Sequence, residues 1–142
     1  MAVSRAATAF MILVDGPGTV GYHLVDPDDL DPEPNRPSEM RSISEAAGMK
    51  NMGLREYSVA PGEEIPVSGL HYHDEQEEVF YVVAGELRVE TPDREYTVAE
   101  GQFFVAEPES PHRAYTDPDA TGEARVIGIG APAVSDGHAY RE

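Results

Sequence analysis

From Gly53 onward the chain is a run of short stretches that alternate with period two, each cut by a turn signal. Leu54–Val59 stops at Pro61-Gly62, and Gly69–His73 follows as a short strand. Val79–Val83 is dense in β-prone residues, and Ala84-Gly85-Glu86 turns it into Leu87–Thr91. Pro92-Asp93-Arg94 leads into Glu95–Val98, and Glu100-Gly101 leads into Gln102–Ala106. After the loop Pro108–Pro111 come His112–Tyr115 and, beyond a polar loop over 116–121, Arg125–Ile129. At least seven strands with a turn every eight to twelve residues predict an all-β sandwich or barrel of antiparallel strands. No alternation of helix and strand supports a parallel sheet, and no internal repeat is visible.

The first part of the chain reads differently. Residues 26–37 hold four prolines and five acids, a density that no regular element survives, so they are expected to run over the surface as an arm. A short helix is expected between Ser42 and Met49, with Ser42 or Ser44 as cap, Glu45 in the first turn and Gly48 as the stop. Arg5 and the apolar run Ala6–Val14 faintly resemble a signal peptide, but no small-residue cleavage site precedes Asp15. The run is also too short to span a bilayer. Residues 1–20 are therefore read as a loose extension with room for a short strand or helix. The expected organisation is an irregular N-terminal extension over 1–50, a barrel over 51–131 and a tail over 132–142.

At 142 residues the chain suits one domain that can bury a real core. It has no cysteine, which excludes disulfides, thiolate nucleophiles and zinc–thiolate sites. Ten basic residues against 27 acidic ones give a net charge of −17. Such a surface repels nucleic acid and anionic lipid, so neither is an expected partner. With 40% hydrophobic residues the chain is folded rather than disordered. Concentrated salt would screen its self-repulsion, which points to a cytoplasm that accumulates salt.

His71 and His73 are two apart on a strand, so both imidazoles leave the same face. Glu78 opens the next strand, where hairpin pairing would return its carboxylate toward them. His112 starts a late strand, which in a closed barrel can lie beside an early one. Three imidazoles and one carboxylate can hold a divalent ion and leave about two octahedral positions open. This donor set suits Fe, Mn, Ni and Zn alike. Glu77 is the alternative ligand if the turn is one residue shorter.

His71-Tyr72-His73, four residues, Glu78, six residues and Gly85 resemble the first motif of the cupin superfamily. Gly101 through Pro111-His112 resembles its second. The resemblance covers about Pro61 to Tyr115, and more closely the chain is similar to cupin-domain proteins of halophilic archaea. It implies a jelly-roll (double-stranded β-helix) barrel with His71, His73, Glu78 and His112 as metal ligands. The sequence departs from the family pattern at Ile65, where a glycine is usual, at Glu107-Pro108-Glu109, and at Thr116, where asparagine is frequent. These departures bear on loop shape and substrate geometry; the four ligand positions are intact.

If Glu78 points inward, Phe80 and Val82 do too, and Val79, Tyr81 and Val83 face the other way. That second face is expected to be ordinary core, or else to be covered by another subunit; the resemblance implies a homodimer. Phe103, Phe104 and Val105 are expected in the core, and His23 and His138 on the surface. Arg113, next to a ligand, either binds an anionic substrate or pairs with nearby acids. Beside a structural barrel that keeps the ligands but does little, two functional readings follow. One is a metal-dependent enzyme acting on a small molecule, such as a dioxygenase or an isomerase. The other is a barrel that binds or senses a small-molecule ligand without turnover. Glu77 and Tyr72 are the acid–base candidates only if the cavity exposes them.

Overall fold

The computed structural model of the protein describes residues 21–141. The expectation for residues 1–20 therefore lies outside the described residues. Ten strands are described: β1 (Glu39–Ser42), β2 (Gly53–Val59), β3 (His71–His73), β4 (Glu77–Ala84), β5 (Glu86–Glu90), β6 (Glu95–Ala99), β7 (Phe103–Ala106), β8 (Arg113–Tyr115), β9 (Ala124–Ala131) and β10 (Gly137–Ala139). One α-helix, α1 (Ile43–Ala47), and a 3-10 turn at Pro27–Asp29 complete the set.

The strands form two layers. One is a five-stranded antiparallel sheet in the order β1-β2-β9-β4-β7. The other contains β6-β5-β8 and the pair β10-β3. Reciprocal backbone hydrogen bonds between His71 and His112, at 3.2 and 2.9 Å, join these two groups. Alternation sends Val59, Val82 and Val126 from one layer and Leu87 and Val89 from the other into the same core, and all are fully buried. Each such side chain contributes about 1.5–3 kcal/mol on burial. This is the jelly-roll arrangement, the double-stranded β-helix.

Local chemistry explains several junctions. Ser42 Oγ accepts from the amide of Glu45 at 3.2 Å and caps α1, while Gly48, at φ 68°, ends it. Gly85 turns β4 into β5 at φ 81°, and a Cβ there would lie 2.6 Å from the carbonyl oxygen of Glu123. Only glycine fits both demands.

Three expectations need correction. Phe103 and Val105 are not core: they are 65% and 58% exposed, because β7 is an edge strand whose alternation turns only Phe104 and Ala106 inward. The face opposite Phe80 and Val82 is likewise not ordinary core. Val79 and Tyr81 are half-buried there and Val83 is exposed at a register shift in β4. Finally, β3 and β4 do not pair as a hairpin; β3 pairs with β10 and β4 with β7 and β9. Glu78 meets the histidines across the barrel, from one layer to the other.

Candidate metal centre

Four elements bring the site together. β3 presents His71 and His73 on one side, with Tyr72 turned away and its ring 5.3 Å from that of exposed His138. His112 enters beside His71 through the strand junction and is almost fully buried. Glu78 comes from the opposite layer, in a cross-strand row with Gly130 on β9 and Gly53 on β2. Neither neighbour in that row has a side chain, and the side chain of Gln76 lies over Gly130 instead.

The donor atoms converge. Glu78 Oε1 lies 3.6 Å from Nε2 of His71, 2.9 Å from Nε2 of His73 and 2.7 Å from Nε2 of His112. His71, His73 and Glu78 each offer a ligand atom within 4.8 Å of the others. Burial opposes ionisation of Glu78, but His112, His71 and His73 outweigh it and hold its carboxyl well below the usual carboxylate range. His73 is held above the ordinary histidine value by Glu78, against the effect of burial, and then by Asp136.

The opposite ring nitrogens decide what the cluster is fit for. Nδ1 of His71 donates to the carbonyl of Gly69 at 2.8 Å, and Nδ1 of His112 to the carbonyl of Ser110 at 2.8 Å. Nδ1 of His73 donates to Asp136 Oδ1 at 3.0 Å. Each acceptor fixes the ring hydrogen on Nδ1, so a neutral imidazole points its Nε2 lone pair at the carboxylate. Lone pairs facing a carboxylate repel unless positive charge lies among them, either a second ring proton, as in the 2.7 Å contact of His112 Nε2 with Glu78 Oε1, or a metal ion. His73 Nε2 shows this most plainly. It is buried and lies 2.9 Å from Glu78 Oε1, while the proton of its own ring is already committed to Asp136 through Nδ1. The residues therefore fit a divalent ion.

Two residues that sequence reasoning missed complete the site. Asp136, just before β10, uses Oδ1 for His73 and Oδ2 for the amides of Glu75 and Gln76 at 2.7 and 3.1 Å. Burial works against its charge, but those amides and His73 keep its pKa below the ordinary aspartate value. Gln76 ties the tail down by donating to the carbonyls of Pro132 and Val134 at 3.0 and 3.3 Å. Glu77, the alternative ligand, is exposed and away from the cluster. Arg113 is taken by Glu90 at 2.8 Å and Glu64 at 3.8 Å. A cavity of about 340 Å³ opens above the cluster, lined in part by Tyr57, Phe80 and Ile129.

Two antiparallel layers closed around an inward-facing histidine–carboxylate cluster define a double-stranded β-helix barrel. The chain belongs to the Cupin domain family, whose model matches residues 55–129, just over half its length. The polyketide cyclase RemF from Streptomyces resistomycificus has a similar structure, with a TM-score of 0.71 and 21% identity over 86% of this chain and 87% of that one. A sugar phosphate isomerase of the cupin superfamily from Silicibacter pomeroyi gives a TM-score of 0.69 and 20% identity over 84% and 82% of the two chains. A protein from Acidithiobacillus ferrooxidans gives 0.63 and 24% over 72% of this chain, which spans only 64% of that relative's length. At these identities the likeness is one of fold. No curated protein matches the sequence. Among the described residues, no helix is long and apolar enough to cross a membrane.

Proposed function

We propose that the protein holds one divalent metal ion with His71, His73, Glu78 and His112, and presents it to a small molecule in the barrel cavity. The observation that carries this reading is the set of three Nε2 atoms within 3.6 Å of one carboxylate oxygen, each ring fixed from its far side. Fe(II), Mn(II), Ni(II) and Zn(II) all suit such a donor set. When bound, the ion supplies Lewis-acid chemistry to a coordinated oxygen of the ligand. The protein's own residues orient the donors, exclude bulk water behind Phe80 and shape the cavity. Isomerisation and dioxygenation are the reaction classes this supports. The relatives described as a sugar phosphate isomerase and a polyketide cyclase agree with action on small organic molecules.

A second reading, ligand binding without turnover, rests on one specific observation. Besides the four candidate ligands and Asp136, the ionisable side chains described along the cavity are Arg36, Arg55 and Tyr57. None of these is an ordinary general base near neutral pH. Glu77 and Tyr72, the sequence candidates, lie outside it.

The acid excess supports work in concentrated salt inside the cell. The exposed Phe103 and Val105, next to Tyr81 and Val79 on β4, support a homodimer through this outer face.

Elemental analysis of the protein purified in high salt, beside His73→Ala, tests the centre. About one divalent ion per chain is expected, lost in the variant together with the stabilisation that a bound ion confers, about 2.7 kcal/mol at a hundredfold excess over Kd. Equal metal content in both proteins would refute the centre. Oxygen uptake and isomerisation assays on the metal-loaded protein then separate enzyme from binder.

A further inference from the structure

The cavity above the candidate ligands contains two arginines, Arg36 and Arg55. Their placement runs against the composition, in which 27 acids face only 10 basic residues. Elsewhere acids claim four of the six other described arginines. Arg41 pairs with Glu39, Arg88 with Glu86, Glu95 and Asp117, Arg113 with Glu90 and Glu64, and Arg125 with Glu56. Arg94 lies over the ring of Tyr96. Among the described residues neither cavity arginine has an ion pair, and Nε of Arg36 is buried without any hydrogen-bond partner. A desolvated guanidinium nitrogen with no acceptor is costly to keep.

The fold nonetheless fixes the backbone that carries both arginines. Arg36 sits between Asn35, at φ 61°, and Pro37, in a turn closed by the Glu33 amide on the Met40 carbonyl at 2.8 Å. Proline fixes the backbone on its far side. Arg55 stands on the cavity side of β2, in a cross-strand row with Gly128 and Phe80. The next row holds Gly53, Gly130 and Glu78. A Cβ at Gly128 would lie 2.8 Å from the Tyr57 ring, and one at Gly130 2.7 Å from the Gln76 side chain. Glycine at both lets the Tyr57 ring and the Gln76 side chain lie against β9 between Arg55 and Glu78, which stand about 10 Å apart across two strand spacings.

The cavity carboxylates do not serve these arginines. Glu78 faces the imidazoles, and Asp136 is used by His73 and two amides. What the pair lacks is an oxyanion, which guanidinium groups bind by parallel, charge-assisted hydrogen bonds. We propose that Arg36 and Arg55 clamp the oxyanion of a small anionic ligand, a carboxylate or a phosphate ester. Its other end reaches the His71, His73, Glu78 and His112 centre, and that last clause alone rests on the metal reading.

Calorimetric titration at fixed ionic strength tests the clamp, with inorganic phosphate and with succinate as separate probes. The protein is used as purified and after metal removal. At least one probe should bind saturably in both forms, and the one that binds tells phosphate from carboxylate. Arg36→Gln and Arg55→Gln should each weaken it about tenfold or more, lysine at either position should restore part of the loss, and Arg94→Gln should change nothing. Arg55 is exposed, so its variant reads the clamp even if the Arg36 variant folds poorly. No saturable binding of either probe, or equal binding by the R36Q/R55Q double variant, overturns the proposal while leaving the metal centre standing. Wild-type anion binding by a His73→Ala protein that carries no metal leaves the clamp standing alone.

Discussion

Asp136 Oδ1 accepts from Nδ1 of His73 at 3.0 Å, across 63 residues of chain. The same carboxylate receives two amides of the loop that leads to Glu78, so one side chain orients a candidate ligand and the turn before another. Asp136→Asn keeps the size and removes the charge. It is expected to weaken metal affinity roughly 10–100-fold, with little change in far-UV circular dichroism. Affinity equal to wild type in a metal-competition titration would show that His73 needs no such support.

Tyr115 gives a pH prediction remote from the candidate ligands. Its phenol donates to Glu95 Oε1 at 2.6 Å. Partial burial raises its pKa and the bond to Glu95 raises it further, from 10.0 to about 12. The fold favours the protonated phenol. Its stabilising contribution is therefore complete below about 10 and lost as pH rises through about 12. Ultraviolet titration of wild type minus Tyr115→Phe should show one late phenolate, and Glu95→Gln should bring it earlier. A difference curve centred near the ordinary tyrosine value would contradict this.

Gly85→Ala should be destabilising by about 1–3 kcal/mol, since the new methyl group meets a main-chain oxygen and sits at positive φ. Thermal unfolding measures it. An unchanged midpoint would mean that the β4–β5 turn shifts freely.

The outer face of β4 and β7 yields a test of assembly. Phe103→Glu with Val105→Lys should convert dimers to monomers in sizing experiments at high salt, without loss of metal. Wild type that already runs as a monomer would remove the proposed interface.

Much of this was readable from residues alone. Period-two alternation located the eight strands from β2 to β9, because a half-buried strand leaves its pattern in the chain. The caps of α1 were equally local, in Ser42 and Gly48. The jelly-roll topology came from the two motifs, and the structure brings His71, His73, Glu78 and His112 to one place. What was missed depends on distant partners. β1 follows a proline-rich arm and buries only Met40, and β10 is a three-residue strand with every residue exposed, so neither has an apolar stripe to betray it. Asp136 looks like any surface acid until β10 pairs with β3. Phe103 and Val105 looked like core because an edge strand's outward residues, when apolar, read like buried ones.

The pairing of His71 with His112 has a consequence for the unfolded chain. An ion gripping both would tie together positions 41 residues apart, and Glu78 would fasten the facing layer to the same knot. A polypeptide without cysteine has no covalent way to shorten such a loop. The metal would do for its entropy what a disulfide does in secreted domains, and chelation would undo it as reduction does there.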